Sequence, residues 1–250
     1  MKYIASCSGG KDSVATLIIA KKYNEPLDEV VYCEVMFDAD TSGEFPEHRE
    51  FIYNTLKPFV ESELQVPFTI VKSQKNFVSN FERKREKGKG EGLVRGYPIP
   101  GACEINRDCK IPPIREYWKQ AGEDVIQYVG IAADEPKRLE RLKGTNRISL
   151  LDKYRITERQ AFEICSNVGL LSPYYEVADR NGCWFCMNCR DRQWRHLINN
   201  HPELFDRLIE LEEKHPVRYG NYITREETAK QIKDRISCEA EQMTMFDYFN

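Results

Sequence analysis

The stretch SCSGGKDS, residues 6–13, decides the fold class of this chain. It follows a short apolar segment at residues 3–5 and leads into residues 12–23, where apolar side chains recur at helical spacing. Residues 29–37 are rich in β-branched and aromatic side chains and predict the next strand. The order of strand, glycine-rich turn, helix and strand predicts a β-α-β unit with the turn at the carboxyl end of its first strand.

The alternation of strands and helices continues through the middle of the chain. Strands are predicted at residues 67–73 and 125–133, and helices at about 47–64, with a break allowed at Pro58, at 76–86 and at 113–121. Because helical segments separate the strands, we predict an α/β fold with a doubly wound parallel sheet of the Rossmann-like type. After residue 190 the pattern is helical and polar, which predicts a C-terminal helical region.

The composition limits the class of protein without identifying a partner. A formal net charge of −3 and a pI near 5.9 give no overall attraction to nucleic acid, so any basic contact surface must be local. The sequence holds neither a run of about 18 apolar residues nor a signal-peptide pattern, so we expect a cytoplasmic protein without a membrane partner. It contains 9 cysteines, and in a reducing compartment their spacing must decide what they do.

A glycine-rich turn that opens a helix presents backbone N–H groups and a partial positive charge to an anion. SCSGGKDS is neither a Walker loop nor the dinucleotide fingerprint. It resembles the SGGxDS loop of the PP-loop ATP pyrophosphatases and adenine nucleotide α-hydrolases. The resemblance implies attack at the α-phosphate of ATP, which releases pyrophosphate and leaves an adenylated substrate.

The residue types of the loop suit this chemistry. Gly9 and Gly10 let the backbone approach phosphates, Lys11 offsets their charge, and Asp12 is placed to position Mg²⁺. We expect Lys11 and Asp12 to take part in catalysis. The residues expected to bind the nucleotide here are Ser6, Ser8, Gly9, Gly10, Lys11, Asp12 and Ser13.

Three further stretches resemble one branch of this superfamily, the phosphoadenosine phosphosulfate (PAPS) reductase-like proteins. They are DADTSGEFPE at residues 38–47, NRDCKIPPI at 106–114 and VGIAADEPKR at 129–138. The resemblance covers roughly residues 1–190 and implies an adenosine nucleotide, ATP or a PAPS-like compound, as ligand. It places Asp40, Thr41 and Glu44 near that nucleotide, and Arg107, Lys110 and Arg138 against its phosphate or sulfate groups, with Arg107 and Lys110 expected to be catalytic.

One departure from that family bears on the reaction. Sulfonucleotide reductases carry a C-terminal E-C-G-x-H segment, whereas the late cysteine here, Cys238, stands in ISCEAEQ without the glycine or the histidine. Reduction of PAPS or of adenosine phosphosulfate would therefore need an external thiol, such as thioredoxin or glutathione.

Three cysteines stand close together in GCWFCMNCRDR. Cys183, Cys186 and Cys189 have the C-x-x-C-x-x-C spacing that lets thiolates converge on one metal centre. A [4Fe–4S] cluster and a Zn²⁺ ion both fit this spacing, and Cys103 or Cys109 is the candidate fourth ligand. The spacing predicts a metal centre and leaves its identity open.

Two basic stretches each have two interpretations. Residues 82–101 are charged and glycine-rich, and predict either a solvated loop or a basic lid over an anionic ligand. The segment RDRQWRHLI at 190–198 joins arginines to an aromatic residue, which fits either a solvated helix face or a nucleic-acid contact.

The end of the chain, QMTMFDYF at residues 242–249, is apolar for a tail. It resembles short peptides that dock on DNA sliding clamps, and it equally suits a terminal anchor that folds back onto the protein. We therefore divide the chain into a nucleotide-binding α/β domain at 1–180, a cysteine and helical region at 181–236, and a tail at 237–250.

Together these features favour an ATP-dependent enzyme that adenylates its acceptor and transfers sulfur to it, in the manner of the DNA phosphorothioation and tRNA thiolation proteins that the chain resembles. The acceptor is a DNA, a tRNA or a small molecule, and a sulfur donor protein is an expected partner. The alternatives are a sulfonucleotide reductase with an external thiol and a non-catalytic module that binds nucleotide and DNA.

Overall fold

The computed structural model describes residues 1–98, 103–122, 124–224 and 226–248, with side chains up to residue 239. Its strands are β1 Lys2–Ser6, β2 Glu29–Glu34, β3 Phe68–Lys72, β4 Val94–Gly96, β5 Val125–Val129, β6 Arg147–Ile148 and β7 Arg218–Gly220. Its α-helices are α1 Lys11–Lys22, α2 Pro46–Phe51, α3 Phe77–Glu82, α4 Ile111–Ala121, α5 Pro136–Leu139, α6 Leu150–Lys153, α7 Glu158–Asn167, α8 Asp191–Asn200, α9 Pro202–Lys214 and α10 Ala229–Tyr248.

The chain forms two compact units, each assembled from three segments. The first unit contains Met1–Val35, Glu44–Gln74 and Lys110–Asn181. The second contains Met36–Gly43, Lys75–Cys109 and Gly182–Asn250. Residues 36–43 and 75–109 lie within the nucleotide-binding part expected from the sequence, but their contacts group them with the C-terminal region.

The first unit is built on a five-stranded parallel sheet in the order β3-β2-β1-β5-β6. Ile4 of β1 lies opposite Glu29 of β2 on one side and Gln127 of β5 on the other. Residues 30–34 of β2 are all buried, as expected of a central strand covered by helices on both faces. This sheet confirms the predicted α/β class with a doubly wound parallel sheet.

Two predicted boundaries in the first unit changed. The helix that begins at α2 continues through π-helical turns at Ile52–Leu56 and Phe59–Glu63, and Pro58 keeps helical backbone angles between them, so no break occurs there. Strands β2 and β5 end earlier than predicted, at Glu34 and Val129. In both chain segments the buried apolar run continues beyond the end of the parallel sheet; after β2, Met36 instead forms an isolated antiparallel bridge with Ser42.

The second unit is mainly helical and has an aromatic core. The rings of Phe77 and Phe185 lie 4.3 Å apart between centroids, and those of Phe37 and Trp184 lie 4.5 Å apart. A small parallel pair, β4 with β7, was not predicted from the sequence. The predicted C-terminal helical region consists of α8, α9 and α10.

The predicted clamp-binding segment, residues 242–249, lies mostly outside the part of the chain whose side chains the structure describes. Helix α10 runs to Tyr248, so the backbone at 242–248 is helical, whereas the side chains of this segment and residues 249 and 250 are not described. Clamp binding therefore stays a prediction. Among the described residues, no helix is both long and apolar enough to cross a membrane.

Candidate nucleotide site and candidate metal centre

The glycine-rich loop leaves β1 and enters α1 through a tightly fixed turn in the first unit. The Cys7 N–H donates to the Val31 carbonyl oxygen at 2.9 Å, which continues the β1–β2 pairing into the loop. The Ser13 hydroxyl donates to the Gly10 carbonyl oxygen at 2.9 Å and accepts from the Ser8 N–H at 3.2 Å. Ser13 thus stabilises the loop conformation through hydrogen bonds, whereas the sequence predicted for it a contact with the nucleotide.

Gly9 is the position in the loop where only glycine fits. Its φ of +74° lies in the left-handed region, and a Cβ atom there would stand 2.8 Å from His48 Cε1 and 2.9 Å from Ile52 Cγ1. Gly10 differs, because a Cβ atom at this position would make ordinary contacts at 3.4 Å or more. The neighbouring side chains therefore require glycine at position 9, whereas they leave room for a Cβ atom at position 10.

His48 of α2 contacts the backbone of the glycine-rich loop. It was not identified from the sequence. Its Nε2 lies 3.1 Å from the Ser8 carbonyl oxygen, and its Nδ1 lies 2.9 Å from the Ser172 hydroxyl. Because a carbonyl oxygen only accepts, Nε2 carries the proton and Nδ1 accepts from Ser172. Burial of the ring lowers the pKa of His48 to about 4, so the ring is neutral at physiological pH.

The first turn of α1 carries the charged pair of the loop. Lys11 Nζ lies 2.9 Å from an Asp12 carboxylate oxygen and 3.1 Å from Glu158 Oε2. Burial alone would lower the pKa of Lys11, but these carboxylates outweigh it and raise the pKa. Burial raises the pKa of Asp12 despite the ion pair. The Lys11 N–H donates to the Tyr175 hydroxyl at 2.8 Å.

A cavity of about 260 Å³ opens at the carboxyl ends of β1, β2 and β5. This is the edge at which parallel sheets bind ligands. Gly130, at the end of β5, allows this arrangement, because a Cβ atom there would lie 2.6 Å from the Ser13 nitrogen. The lining of the cavity includes three loop residues and three cations, namely Ser6, Ser8, Ser13, Lys110, Arg138 and Arg147.

The three cations of this cavity differ in how they are held. Arg138 forms an ion pair with Glu135 at 2.6 Å. Lys110 and Arg147 have no carboxylate within 4.0 Å among the described residues, so their charge is available to a ligand. Arg147 was not identified from the sequence, since nothing marks a single arginine on a strand of two residues.

Arg107 belongs to the second unit, whereas the three cavity cations belong to the first. Its guanidinium binds the Asp108 carboxylate at 2.8 and 2.7 Å, and this pairing raises the pKa of Arg107. Its side chain is 56% exposed. Its expected contact with phosphate or sulfate stays a prediction.

The segment that resembles the D-T-G-x-x-F-P-E motif is divided between the two units. In the second unit, Arg207 of α9 binds the Asp38 carboxylate, and it donates to the Thr41 hydroxyl at 2.5 Å. The Asp38 carboxylate also accepts from the N–H groups of Asp40 and Thr41 at 3.0 and 2.7 Å. Asp40 and Thr41 therefore stand in a turn held by Arg207, a residue that the sequence analysis missed.

Glu44, the remaining residue of that segment, belongs to the first unit and is buried. Burial raises the pKa of its carboxyl group to about 7, against the opposing influence of the Lys110 ammonium. Glu34 nearby adds a like charge that also favours the protonated form. Glu44 is thus a proton-carrying group next to a cation that lines the cavity.

The three clustered cysteines lie on two consecutive turns in the second unit. The Cys186 N–H donates to the Cys183 carbonyl oxygen at 3.0 Å, and the Cys189 N–H donates to the Cys186 carbonyl oxygen at 2.8 Å. Turns of this kind hold residues three apart within about 7 Å between Cα atoms. All three side chains are half-buried.

Cys109 and Cys103, the candidates for a fourth ligand, belong to the same unit. Cys109 is fully buried against α3, where the Asn80 amide donates to its sulfur at 3.3 Å, and burial raises the pKa of its thiol to about 11. Cys103 is exposed, and its sulfur accepts from the Asn106 N–H at 3.3 Å. The three clustered thiols, with Cys109 or Cys103 as the fourth, are a donor set whose chemistry suits either a [4Fe–4S] cluster or Zn²⁺.

Comparison with known proteins finds a matching family model and a similar solved structure. A family model described as the phosphoadenosine phosphosulfate reductase domain matches residues 2–152. No curated protein matches the chain. Among solved structures, the chain is similar to the U34-tRNA thiolase NcsA from Methanococcus maripaludis with its [4Fe–4S] cluster, at 18% identity and a TM-score of 0.42. That alignment covers 86% of this chain and 67% of the thiolase.

Proposed function

Because the chain belongs to the phosphoadenosine phosphosulfate reductase domain family, we propose that it adenylates an acceptor with ATP and then exchanges the adenylate for sulfur. One observation carries the proposal most directly. Cys7 and Ser8 of the loop, Ser13 of α1 and the cations Lys110 and Arg147 line one cavity at the carboxyl edge of the sheet. Such a cavity suits a polyphosphate.

In the proposed first step an oxygen atom of the acceptor attacks the α-phosphorus of ATP. The bond from that phosphorus to the bridging oxygen breaks, and pyrophosphate leaves with the bonding electrons. Lys11 and the cavity cations stabilise the charge on the departing pyrophosphate. Asp12, which pairs with Lys11 in the structure, would turn to Mg²⁺ when the nucleotide binds.

In the proposed second step a sulfide-equivalent sulfur, supplied by an external donor, attacks the activated carbon or phosphorus of the acceptor and displaces AMP. No net oxidation is required if the sulfur arrives as sulfide. Cys183, Cys186, Cys189 and either Cys109 or Cys103 would hold the metal centre. When bound, an iron–sulfur cluster supplies an iron on which sulfur binds, whereas zinc supplies a structural clamp.

Pyrophosphate release tests the first step. The purified protein is incubated with ATP, Mg²⁺ and candidate acceptors, and pyrophosphate is measured against Lys11→Ala and against the control Lys119→Ala, whose side chain is 79% exposed. We expect acceptor-dependent pyrophosphate from the wild type and the control, and none from Lys11→Ala. Equal release by Lys11→Ala would contradict the mechanism.

Sulfonucleotide reduction is the second candidate, because two thiols, Cys7 and Cys33, line the same cavity. This reaction takes two electrons from thiols, releases sulfite and leaves the phosphate groups of the nucleotide intact. Burial raises the pKa of Cys7, which disfavours the thiolate that such a reaction needs. Sulfite formation from PAPS with dithiothreitol, without pyrophosphate, would favour this candidate.

A further inference from the structure

We propose that residues 83–95 form a basic hairpin that binds the phosphodiester backbone of a nucleic acid, and so holds the acceptor of the reaction. The inference rests on the proposed function, since it names the class of acceptor. Within the charged stretch, which the sequence analysis interpreted as a solvated loop or a basic lid, residues 83–95 form a hairpin with exposed lysines.

The hairpin is fixed by backbone hydrogen bonds between its two arms. The Arg95 N–H donates to the Arg83 carbonyl oxygen at 2.8 Å, and the Arg85 N–H donates to the Leu93 carbonyl oxygen at 2.9 Å. The Gly92 N–H donates to the Arg85 carbonyl oxygen at 2.9 Å. At its base, Arg95 is buried and forms an ion pair with Glu104 at 2.8 Å. The arms therefore have a defined register.

The tip of the hairpin is shaped by Arg85 and by glycines. The Arg85 guanidinium stands over the Tyr219 ring, 3.8 Å from its centroid, and its Nε donates to the Lys89 carbonyl oxygen at 3.0 Å. Gly88, Gly90 and Gly92 all have φ near +80°, the left-handed region that favours glycine. A Cβ atom at Gly90 would lie 2.5 Å from Tyr219 Cδ2. These contacts and backbone angles give the tip a defined conformation.

The remaining cations of the hairpin are directed to solvent. Lys84, Lys87 and Lys89 are exposed, and within the described part of the chain none has a carboxylate within 4.0 Å. A shallow groove of about 250 Å³ runs beside two of them, and its lining also includes the carboxylates of Glu86 and Glu104. Three ammonium groups without a paired carboxylate create a positive electrostatic potential at the hairpin, although the net charge of the whole chain is −3.

The spacing of these cations favours a polymer over a single nucleotide. Lys84 lies opposite Val94 between the arms of the hairpin, whereas Lys87 and Lys89 belong to its tip. Cations spread along one element in this way suit a ligand that carries a row of phosphates, such as the backbone of a nucleic acid. A small anion would need converging groups instead.

The hairpin also continues directly from the helix that supports the cysteines. Asn80 of α3 contacts Cys109, and Phe77 of the same helix packs on Phe185 of the cysteine segment. Arg83, where the hairpin begins, follows Asn80 by three residues, at most about 11 Å of chain. A polynucleotide held by the hairpin is thereby attached to the unit that carries the thiols.

Fluorescence anisotropy at several salt concentrations tests the inference, with labelled single-stranded RNA, single-stranded DNA and duplex DNA of one sequence. The test variant is Lys84→Gln/Lys87→Gln/Lys89→Gln. The control removes three lysines of the first unit that form surface ion pairs, as Lys21→Gln/Lys119→Gln/Lys143→Gln. Comparison of the three ligands identifies which nucleic acid is preferred.

We expect the test variant to bind about tenfold or more weakly, with a salt slope smaller by roughly 2 to 3, because each lost phosphate contact removes about one unit. The control should follow the wild type. Equal affinity of the test variant and the wild type, or an equal loss in the control, overturns the inference.

Gly90→Ala provides a second variant that changes no charge. Its Cβ atom would displace Tyr219 and the tip, so affinity should fall, and thermal unfolding measured alongside should show that the variant remains folded. Unchanged affinity would show that the hairpin shape is irrelevant.

Failure of this inference and failure of the proposed function are separable. Hairpin variants that bind nucleic acid normally while the wild type releases pyrophosphate refute the hairpin alone. A wild type that binds nucleic acid through the hairpin but never releases pyrophosphate refutes the adenylation reaction alone.

Discussion

His48 occupies the space in which any side chain at position 9 would have to stand, with its Cε1 2.8 Å from the Cβ atom that Gly9 lacks. The same ring holds the Ser8 carbonyl through Nε2. One buried histidine thus fixes both the backbone angle and the orientation of the loop that enters α1.

Gly9→Ala should destabilise the protein and abolish nucleotide binding. Left-handed strain and overpacking against His48 together cost about 2 to 4 kcal/mol. Thermal unfolding and calorimetry with ATP analogues measure the two effects. Gly10→Ala is the matched control, because its Cβ atom meets neighbours at 3.4 Å or more, and it should keep the stability of the wild type. Equal losses in both variants would contradict this account.

Two buried titratable groups of the first unit, His48 and Glu44, should give opposite dependences of stability on pH. The pKa of His48 falls from 6.5 to about 4 on folding, so the unfolded chain binds more protons in that window and stability is lost as pH falls through it. The pKa of Glu44 rises from 4.5 to about 7, so stability is lost as pH rises through that window. Each shift corresponds to about 3 kcal/mol at most.

Between pH 4.5 and 6.5 these two effects therefore largely cancel in the wild type. His48→Gln should expose the Glu44 dependence, with stability falling as pH rises, and Glu44→Gln should expose the reverse. Urea unfolding at closely spaced pH values measures both. Parallel pH profiles for the two variants would refute the assignment.

Arg147→Gln and Lys110→Gln should each weaken nucleotide binding about tenfold or more, because each removes a charge-assisted contact worth roughly 1.5 to 3 kcal/mol. Calorimetric titration with ATP and with a non-hydrolysable analogue provides the measurement. Arg155→Gln is the control, since that side chain is 85% exposed and does not line this cavity. If Arg147→Gln binds like Arg155→Gln, the cavity is not the polyphosphate site.

Cys186→Ser should lose the metal after anaerobic purification, whereas the exposed Cys238→Ser should keep it. Iron, zinc and labile sulfide are measured per chain, with about four irons expected for a [4Fe–4S] cluster and about one zinc for a structural site. Full metal content in Cys186→Ser would exclude the triplet as the site.

Cys109→Ser and Cys103→Ser decide the fourth ligand by the same measurement. The variant that loses metal identifies the ligand. Retention by both would indicate a centre held by three cysteines, which an iron–sulfur cluster tolerates and a closed zinc site does not.

The sheet was predictable because its signals are local. Continuous apolar runs mark β2 and β5, and the glycine-rich turn marks the entry to α1. The pairing of β4 with β7 was not predictable, since strands of three residues with glycines carry no period. Their closeness depends on Gly96, whose Cβ atom would lie 2.3 Å from the Gly220 carbonyl oxygen.

The candidate site was partly predictable for the same reason. Lys110 and Arg138, which their motifs single out, line one cavity together with the loop residues Ser6, Ser8 and Ser13, and their contact with a nucleotide stays a prediction. The role of His48 depends on Ser8 and Ser172, which are distant in sequence, so no local pattern marks it. For Arg107, in contrast, the adjacent Asp108 is a local signal from which the ion pair could have been predicted.

The chain enters and leaves the second unit repeatedly, and this matters while the protein is being synthesised. Phe37 and Phe77 leave the ribosome long before Trp184 and Phe185, the rings on which they pack. At 5 to 20 residues per second, Phe37 waits about 7 to 30 s for Trp184. During that interval Phe37 and Phe77 lack the rings of Trp184 and Phe185 that pack on them in the folded protein.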